Sequence, residues 1–234
     1  MFKGLNLSPP FFELGPKAYL YGSQVLQLAK FADEISFKYN VQIIFTPQYV
    51  DIPLLSKETK HLLIFAQHMD ALRMGRGVGS VLPEAVKEAG ACGVLLNHAE
   101  KPLSQEAIRL TIQRADEVGL ASMVCAGSMR EVEAVALMCP NIVLAEPPEL
   151  IGTGKRGAKD QAAIRKINSI VWNINPDILV LHGAGISSGQ DVYDIIALGA
   201  QATGSSSGVL LANNPFDMLE EMVSNVRQAW DDTH

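Results

Sequence analysis

Short apolar segments recur along the whole chain, separated by longer segments in which apolar residues follow helical spacing. Several of the short segments are rich in Val, Ile or Leu without polar alternation, which is typical of strands covered on both faces. They predict eight strands: Phe11–Leu14, Val41–Phe45, Leu62–Ala66, Gly93–Leu96, Ala121–Cys125, Ile142–Ala145, Ile178–Leu181 and Ala202–Ser205.

Helices are predicted between the strands. Ser104 and Ser128 are suited to cap helix N-termini, and Gly119 is suited to end a helix. The predicted helices are Ser23–Tyr39, Ser104–Val118, Met129–Met138, Ala158–Asn173, Ser188–Leu198 and Pro215–Trp230. A strand followed by a helix about eight times predicts a parallel sheet, and eight units in 234 residues fit a closed (β/α)8 barrel. Because no Pro/Ser-rich linker divides the chain, we expect one domain over residues 1–234.

Composition narrows the class of protein. Hydrophobic residues make up 48% of the chain, enough for a large core. The formal charge is −6 and basic residues are scattered, which argues against a nucleic-acid partner. No apolar run approaches the roughly 18 residues of a membrane span. Three cysteines without CxxC spacing fit a reducing compartment, so a cytoplasmic location is expected.

Residues that follow the strands carry the candidate chemistry, because active sites of such barrels lie at the carboxyl ends of the strands. His98 follows the fourth predicted strand, and Glu146 follows the sixth. Loops rich in Gly and Ser follow the seventh and eighth, over residues 183–189 and 204–208. One imidazole and one carboxylate are therefore expected at the same mouth, beside two loops whose backbone N–H groups can approach a phosphate.

These groups suit the interconversion of an aldose and a ketose. That reaction needs a carboxylate base near a carbon next to a carbonyl, and a neutral donor that bridges two oxygens. It also needs donors or a cation for the developing enediolate. The serines and a following helix N-terminus favour an anionic group on the substrate.

Four segments resemble the triosephosphate isomerase family, in particular its short archaeal-type branch. They are AEPPELIGTG, LLNHAE, VLPEAVKEAG and GAGISSGQDV, and the resemblance covers nearly the whole chain. It implies that Glu146 is the general base and His98 the neutral electrophile. It also implies that Lys17 stabilises enediolate charge and that Glu100 is a structural carboxylate able to pair with Lys17.

The resemblance also implies a lid and a phosphate site. Pro147–Gly154 matches a closing lid that excludes water from the intermediate. Ile151 and Gly152 of this lid would cover the phosphate. Beneath it would lie residues of the last two loops: Gly185, Ser206 and Ser207.

Three positions depart from the family pattern. Gly15, a substrate-site position, stands where the family has Asn, Val78 stands where it has Thr, and Ala99 replaces a Ser. The first change removes an amide donor and opens space. We interpret the set as an enlarged or reshaped side of the pocket around an unchanged base, electrophile and Lys.

The leading hypothesis is an isomerase of small phosphorylated sugars in carbohydrate metabolism, with glyceraldehyde 3-phosphate and dihydroxyacetone phosphate as substrates. Alternatives are a longer sugar phosphate such as a tetrulose phosphate, an aldolase or epimerase on the same barrel, and a non-catalytic barrel that binds a phosphometabolite. No cofactor or metal is expected, since the chemistry needs none. The family's third loop docks into a partner subunit, so Gly75–Gly79 predicts a homodimer or homotetramer.

Overall fold

The chain forms a closed barrel of eight parallel strands in the computed structural model, which describes residues 1–147 and 158–234 and, of residues 158–161, the backbone alone. The strands follow one another around the barrel in sequence order, and β1 closes it by pairing with β8. The predicted (β/α)8 barrel is thus confirmed. The strands are β1 Phe11–Leu14, β2 Gln42–Phe45, β3 Leu62–Ala66, β4 Gly93–Leu96, β5 Ala121–Ala126, β6 Ile142–Ala145, β7 Leu179–His182 and β8 Ala202–Gly204.

Strand β7 differs from its predicted bounds by one residue. Ile178 belongs to the preceding turn, where its N–H donates to the carbonyl of Asn175 at 3.2 Å. His182 closes the strand instead, in register with Ala145 of β6 and Thr203 of β8. Strand ends are set by pairing with neighbours, which an apolar run does not show.

The described helices include the six that helical spacing predicted and three short ones that it did not. The additional helices are Ile52–Glu58, Pro83–Glu88 and Ser207–Leu210, and a 3₁₀ turn covers Tyr49–Asp51. Two turns or fewer give too little periodicity to recognise. The helices are α1 Gly22–Tyr39, α2 Ile52–Glu58, α3 Pro83–Glu88, α4 Gln105–Val118, α5 Met129–Ala136, α6 Ala158–Ile174, α7 Gly189–Ala197, α8 Ser207–Leu210 and α9 Pro215–Thr233.

The predicted helix caps are present. The Ser104 hydroxyl accepts from the N–H of Ala107 at 3.2 Å, and the Ser128 hydroxyl accepts from the N–H of Glu131 at 3.3 Å. Gly119 ends α4 in the left-handed conformation, with φ 74°. Such caps contribute about 1 kcal/mol each and fix where the following loop begins.

Alternate residues of each strand face two different cores. Phe12 and Leu14 of β1 pack outward against the helix layer, whereas Phe11 points into the barrel and packs with Ile44 and Phe65. Burial of each such ring stabilises the fold by roughly 2–3 kcal/mol. Because side chains alternate along a strand, Glu13 shares the inward direction of Phe11 and places a carboxyl group in the barrel interior.

None of the helices in the described part of the chain combines the length and the apolar character that crossing a membrane requires.

Candidate active site

Two adjoining cavities open at the carboxyl ends of the strands. The larger has a volume of about 360 Å³ and extends toward the loops after β2 and β3, while the smaller, about 50 Å³, lies between the loops after β7 and β8. The residues that bound both are Glu13, Lys17, Leu144, Glu146 and Ser206. The two cavities therefore form one site with a wide and a narrow end.

Glu146 and His98 meet in this site. Glu146 Oε2 lies 3.4 Å from His98 Nε2, and the two side chains are only 15% and 14% exposed. Asn97 adopts the left-handed conformation, with φ 58°, and its amide donates to the carbonyl of Cys125 at 2.9 Å. This fixed turn directs His98 into the cavity. A distance of 3.4 Å leaves no room for a carbon atom between Glu146 Oε2 and His98 Nε2. A bound substrate must therefore contact both atoms from one side or displace the carboxylate.

The hydrogen bond to the other ring nitrogen sets the tautomer of His98. The backbone N–H of Glu100 donates to His98 Nδ1 at 3.1 Å, so in the neutral ring the proton sits on Nε2, which faces Glu146. Burial lowers the pKa of His98, the charge of Lys17 lowers it further, and Glu100 opposes the shift. At neutral pH the side chain is therefore an uncharged N–H donor pointing into the site.

Lys17 is held at the rim by two sets of contacts. Its ammonium lies 2.7 Å from Glu100 Oε1, which is the pairing that the sequence suggested. Its backbone is in the left-handed conformation, with φ 47°, and its carbonyl accepts from the amides of Gln48 at 2.8 Å and Gln67 at 3.1 Å. A strained backbone at a rim position is maintained by such surrounding contacts. The Lys17 hydrogen bond also lowers the pKa of Glu100, which stays ionised.

The narrow end of the site is built from the last two loops. Ala184 and Gly185 are both left-handed, with φ 63° and 68°. A side chain at Gly208 would clash with the carbonyl oxygen of Ile186, so glycine there lets the two loops touch. Among the described residues no acceptor is recorded for the backbone N–H of Gly185, Ser206 or Ser207. N–H groups gathered in this way suit an anion.

Within the described residues, no three His, Cys, Asp or Glu side chains are placed to hold a metal ion together. The site thus offers a carboxylate, a neutral imidazole and an ammonium beside an anion-sized recess. That set can move a proton between neighbouring carbons of a phosphorylated carbonyl compound.

Comparison with known proteins agrees with this chemistry. The profile of the triosephosphate isomerase family matches residues 17–219. The triosephosphate isomerase of Methanobacterium bryantii is 39% identical over 220 residues, covering 93% of this chain and 97% of the relative. Those of Sulfurisphaera tokodaii and Methanothermus fervidus are 37% and 38% identical, covering 96% and 88% of this chain and 99% and 92% of the relatives.

This chain belongs to the triosephosphate isomerase family. It is an isomerase, and the family and the enzyme class that its motifs indicated are both confirmed.

The structure brings most of the residues predicted for a triosephosphate isomerase site to one barrel mouth. Five line the larger cavity, and Gly185 and Ser207 line the smaller one together with two of those five, Lys17 and Glu146. The five are Lys17, Gly15, His98, Glu100 and Glu146, with Ser206 between the two cavities. Ile151, Gly152 and most of the predicted lid lie outside the described residues. The individual roles remain predictions.

One departure from the family pattern has a structural explanation that the sequence did not reveal. A Cβ atom at Gly15 would lie 2.9 Å from Thr46 Oγ1, 3.0 Å from Glu13 Oε1 and 3.1 Å from Ser206 Oγ. The space expected from the loss of Asn is therefore not open at this position, since neighbouring polar side chains occupy it. Polar side chains thus line the pocket at this position.

Glu13 is the site residue that the sequence analysis missed. It was treated as part of the apolar strand Phe11–Leu14, although a glutamate at an inward position of a buried strand is rare unless it is paired or functional. A glutamate inside an apolar strand, two residues before Gly15, was the sequence signal that could have identified it.

Proposed function

We propose that this chain interconverts glyceraldehyde 3-phosphate and dihydroxyacetone phosphate, with Glu146 as the base and His98 as the electrophile. The observation that carries the proposal is the pair itself. In a chain of this family, a carboxylate oxygen and a neutral imidazole N–H lie 3.4 Å apart at the barrel mouth, beside an anion-sized recess.

The chemistry balances without any added group. Glu146 takes a proton from the carbon next to the carbonyl, and the C–H electron pair becomes the C=C bond of an enediolate. The carbonyl electrons move to oxygen, where the Nε2–H of His98 donates and the charge of Lys17 stabilises the product. His98 carries the hydroxyl proton from one oxygen to the other, and Glu146 returns its proton to the neighbouring carbon.

The phosphate is assigned to the narrow end of the site. Gly185, Ser206 and Ser207 are proposed to bind it through backbone N–H groups. With the phosphate held there, the carbonyl end of a three-carbon chain extends toward Glu146 and His98.

Turnover on substrates of different length tests the proposal. Both trioses should be interconverted, with kcat/KM roughly 10–200-fold higher than on tetrulose phosphates, the usual discrimination for one extra carbon. Coupled assays in both directions would measure it. A preference for a tetrulose phosphate would select the longer substrate, for which the 360 Å³ cavity lined by Gln48 and Gln67 has room. Inactivity on all of them, with retained phosphate affinity, would leave a binding barrel.

We also propose that the chain self-associates through the loop after β3. Asp70 and Val81 clamp the base of this loop, because Asp70 N–H donates to the Val81 carbonyl at 3.0 Å and Asp70 Oδ2 accepts from the Val81 N–H at 2.7 Å. The loop exposes Met74 and all of Val78, while Gly79 lines the larger cavity. An apolar tip beside the site suits the predicted docking into a second copy.

Light scattering tests this assembly. The expected mass is two or four times the 25.3 kDa of one chain. Val78→Asp is expected to give the mass of a single chain, because a charge cannot be buried at an apolar contact without large cost. Leu137→Asp, on an exposed apolar position at the end of α5, is the matched control and should keep the assembly. A wild-type mass of one chain would refute the proposal.

A further inference from the structure

A buried carboxyl group lies on the floor of the active site. Glu13 is 8% exposed and lines both cavities, together with Lys17 and Glu146. It comes from the strand interior and not from a loop, so its position is as rigid as the barrel. Most glutamates buried to this extent have a charged partner or a function.

Two glycines accommodate this carboxyl group. A Cβ atom at Gly15 would lie 3.0 Å from Glu13 Oε1, and a Cβ atom at Gly204 would lie 3.1 Å from Glu13 Oε2 and 2.6 Å from the Glu13 carbonyl oxygen. A side chain at either position would therefore crowd Glu13, at Gly204 against its backbone carbonyl and at Gly15 against its carboxyl group. The loss of a side chain at position 15 and the presence of a carboxyl group at position 13 are therefore two parts of one arrangement.

Only part of the hydrogen-bonding capacity of the group is used within the protein. The Thr46 hydroxyl donates to Glu13 Oε1 at 2.8 Å. Among the described residues, no hydrogen bond to Oε2 is recorded, and this oxygen sits beside Gly204 at the junction of the two cavities. A protonated Oε2 has a donor to offer to a molecule in the site.

Burial is the main factor that favours the protonated form of the Glu13 carboxyl group. Burial raises the pKa of Glu13 to about 7, the Thr46 hydrogen bond and the Lys17 charge oppose the rise, and the Glu146 charge adds to it. Cys125 also faces it from β5, with a pKa raised well above its ordinary value, so this thiol stays neutral. Because two nearby carboxylates repel each other, the Glu146 charge and an anionic substrate both favour the protonated form of Glu13.

We propose that Glu13 is a substrate-contacting residue, whose protonated carboxyl group donates a hydrogen bond from the pocket floor to an oxygen of the bound sugar phosphate. The inference rests on the proposed isomerase function and adds a fourth side chain to Glu146, His98 and Lys17. The carbonyl oxygen of the substrate and the negatively charged oxygen of the enediolate can accept but not donate, so the ionised form of Glu13 lacks this contact and repels the ligand.

The pH dependence of KM tests this contact. Wild-type KM should rise about tenfold or more between pH 7 and 9, because the proton is lost as pH passes the pKa near 7. The substrate phosphate, with its second pKa near 6, stays dianionic in that range, and His98, with its lowered pKa, stays neutral. In Glu13→Gln, a permanent donor of similar shape, KM should vary less than about twofold over the same range.

Two further variants separate contact from packing. Glu13→Leu has no donor at any pH, so its kcat/KM should lie roughly tenfold to a hundredfold below that of Glu13→Gln. Thr46→Val removes the donor that stabilises the charged form of Glu13, so the midpoint of the KM profile should move to higher pH. Glu220→Gln is the matched control and should reproduce the wild-type profile, because Glu220 on α9 forms an exposed pair with Lys38 of α1.

Failure of this inference differs from failure of the proposed function. If triose turnover is present and Glu13→Gln retains the wild-type pH profile of KM, Glu13 is only a packed carboxyl group. If triose turnover is absent, calorimetry of dihydroxyacetone phosphate binding to Glu146→Gln replaces kinetics. An affinity that falls above pH 7, and no longer does so once Glu13→Gln is added, would support the contact, whereas an unchanged dependence would overturn it.

Discussion

Replacing Glu146 with Gln is expected to lower kcat by about a thousandfold or more, with KM changed only a few-fold. A general base contributes roughly 10²–10⁴ to such a reaction, and an amide of the same shape cannot accept the proton. The neutral amide still fits beside His98 and the anion recess. Coupled assays would measure turnover, and NMR in D₂O would show whether the proton on the reacting carbon still exchanges with solvent.

A shorter carboxylate tests geometry separately from acidity. Glu146→Asp keeps the charge but withdraws it by about 1 Å, and such misplacement costs on the order of a hundredfold. Glu220→Gln serves again as the remote Glu-to-Gln control, since it pairs with Lys38 away from the barrel mouth. Retention of a tenth or more of kcat in Glu146→Gln would assign the base to another residue. A wild type without measurable turnover would favour the non-catalytic barrel that binds a phosphometabolite.

Removal of the imidazole is the second change with a large expected effect. His98→Ala should lower kcat by about 10²–10³, the cost of deleting one donor to a developing oxyanion. The pH profile of wild-type kcat gives a second test, because the direction of its change can be predicted. Since burial lowers the pKa of His98 and the neutral ring is the active donor, kcat should not fall as pH decreases from 8 to 6.5. A decrease in kcat is expected only below the ordinary pKa of histidine.

The control for this variant is an exposed histidine. His61 contacts the Phe37 ring in a tilted arrangement and lines neither cavity of the site, so His61→Ala should leave kcat within about twofold. Should kcat of the wild type decrease between pH 8 and 6.5, or should His98→Ala lose less than tenfold, the neutral-donor role of His98 would be wrong.

Much of the fold could be read from the chain because the signal is local. Apolar runs placed the strands to within one residue at each end, and the hydroxyls of Ser104 and Ser128 placed two helix starts. A strand buried on both faces must be apolar, and a helix start needs an acceptor for its free N–H groups. The short helices α2, α3 and α8 were missed because their length gives no period.

The candidate site was partly readable for the same reason. In a parallel barrel every strand ends at the same mouth, so residues following β4 and β6 had to approach each other. Positions alone therefore placed His98 and Glu146 at one barrel mouth, and the family resemblance supplied their roles. The Nε2–H tautomer of His98 could not be predicted in this way, because it depends on how the Glu100 N–H is oriented after the chain turns.

By itself, the sequence determined a (β/α)8 barrel of the triosephosphate isomerase family and the two residues expected to exchange the proton. The tertiary structure decided what surrounds them: the clamps on Lys17, and the carboxyl group of Glu13 in the space beside Gly15. Periodicity and motifs record each residue's relation to its neighbours along the chain. The contacts of Glu13 with Thr46 and Gly204 depend on the register of β1 with its two neighbours, β2 and β8, which no single segment of the sequence encodes.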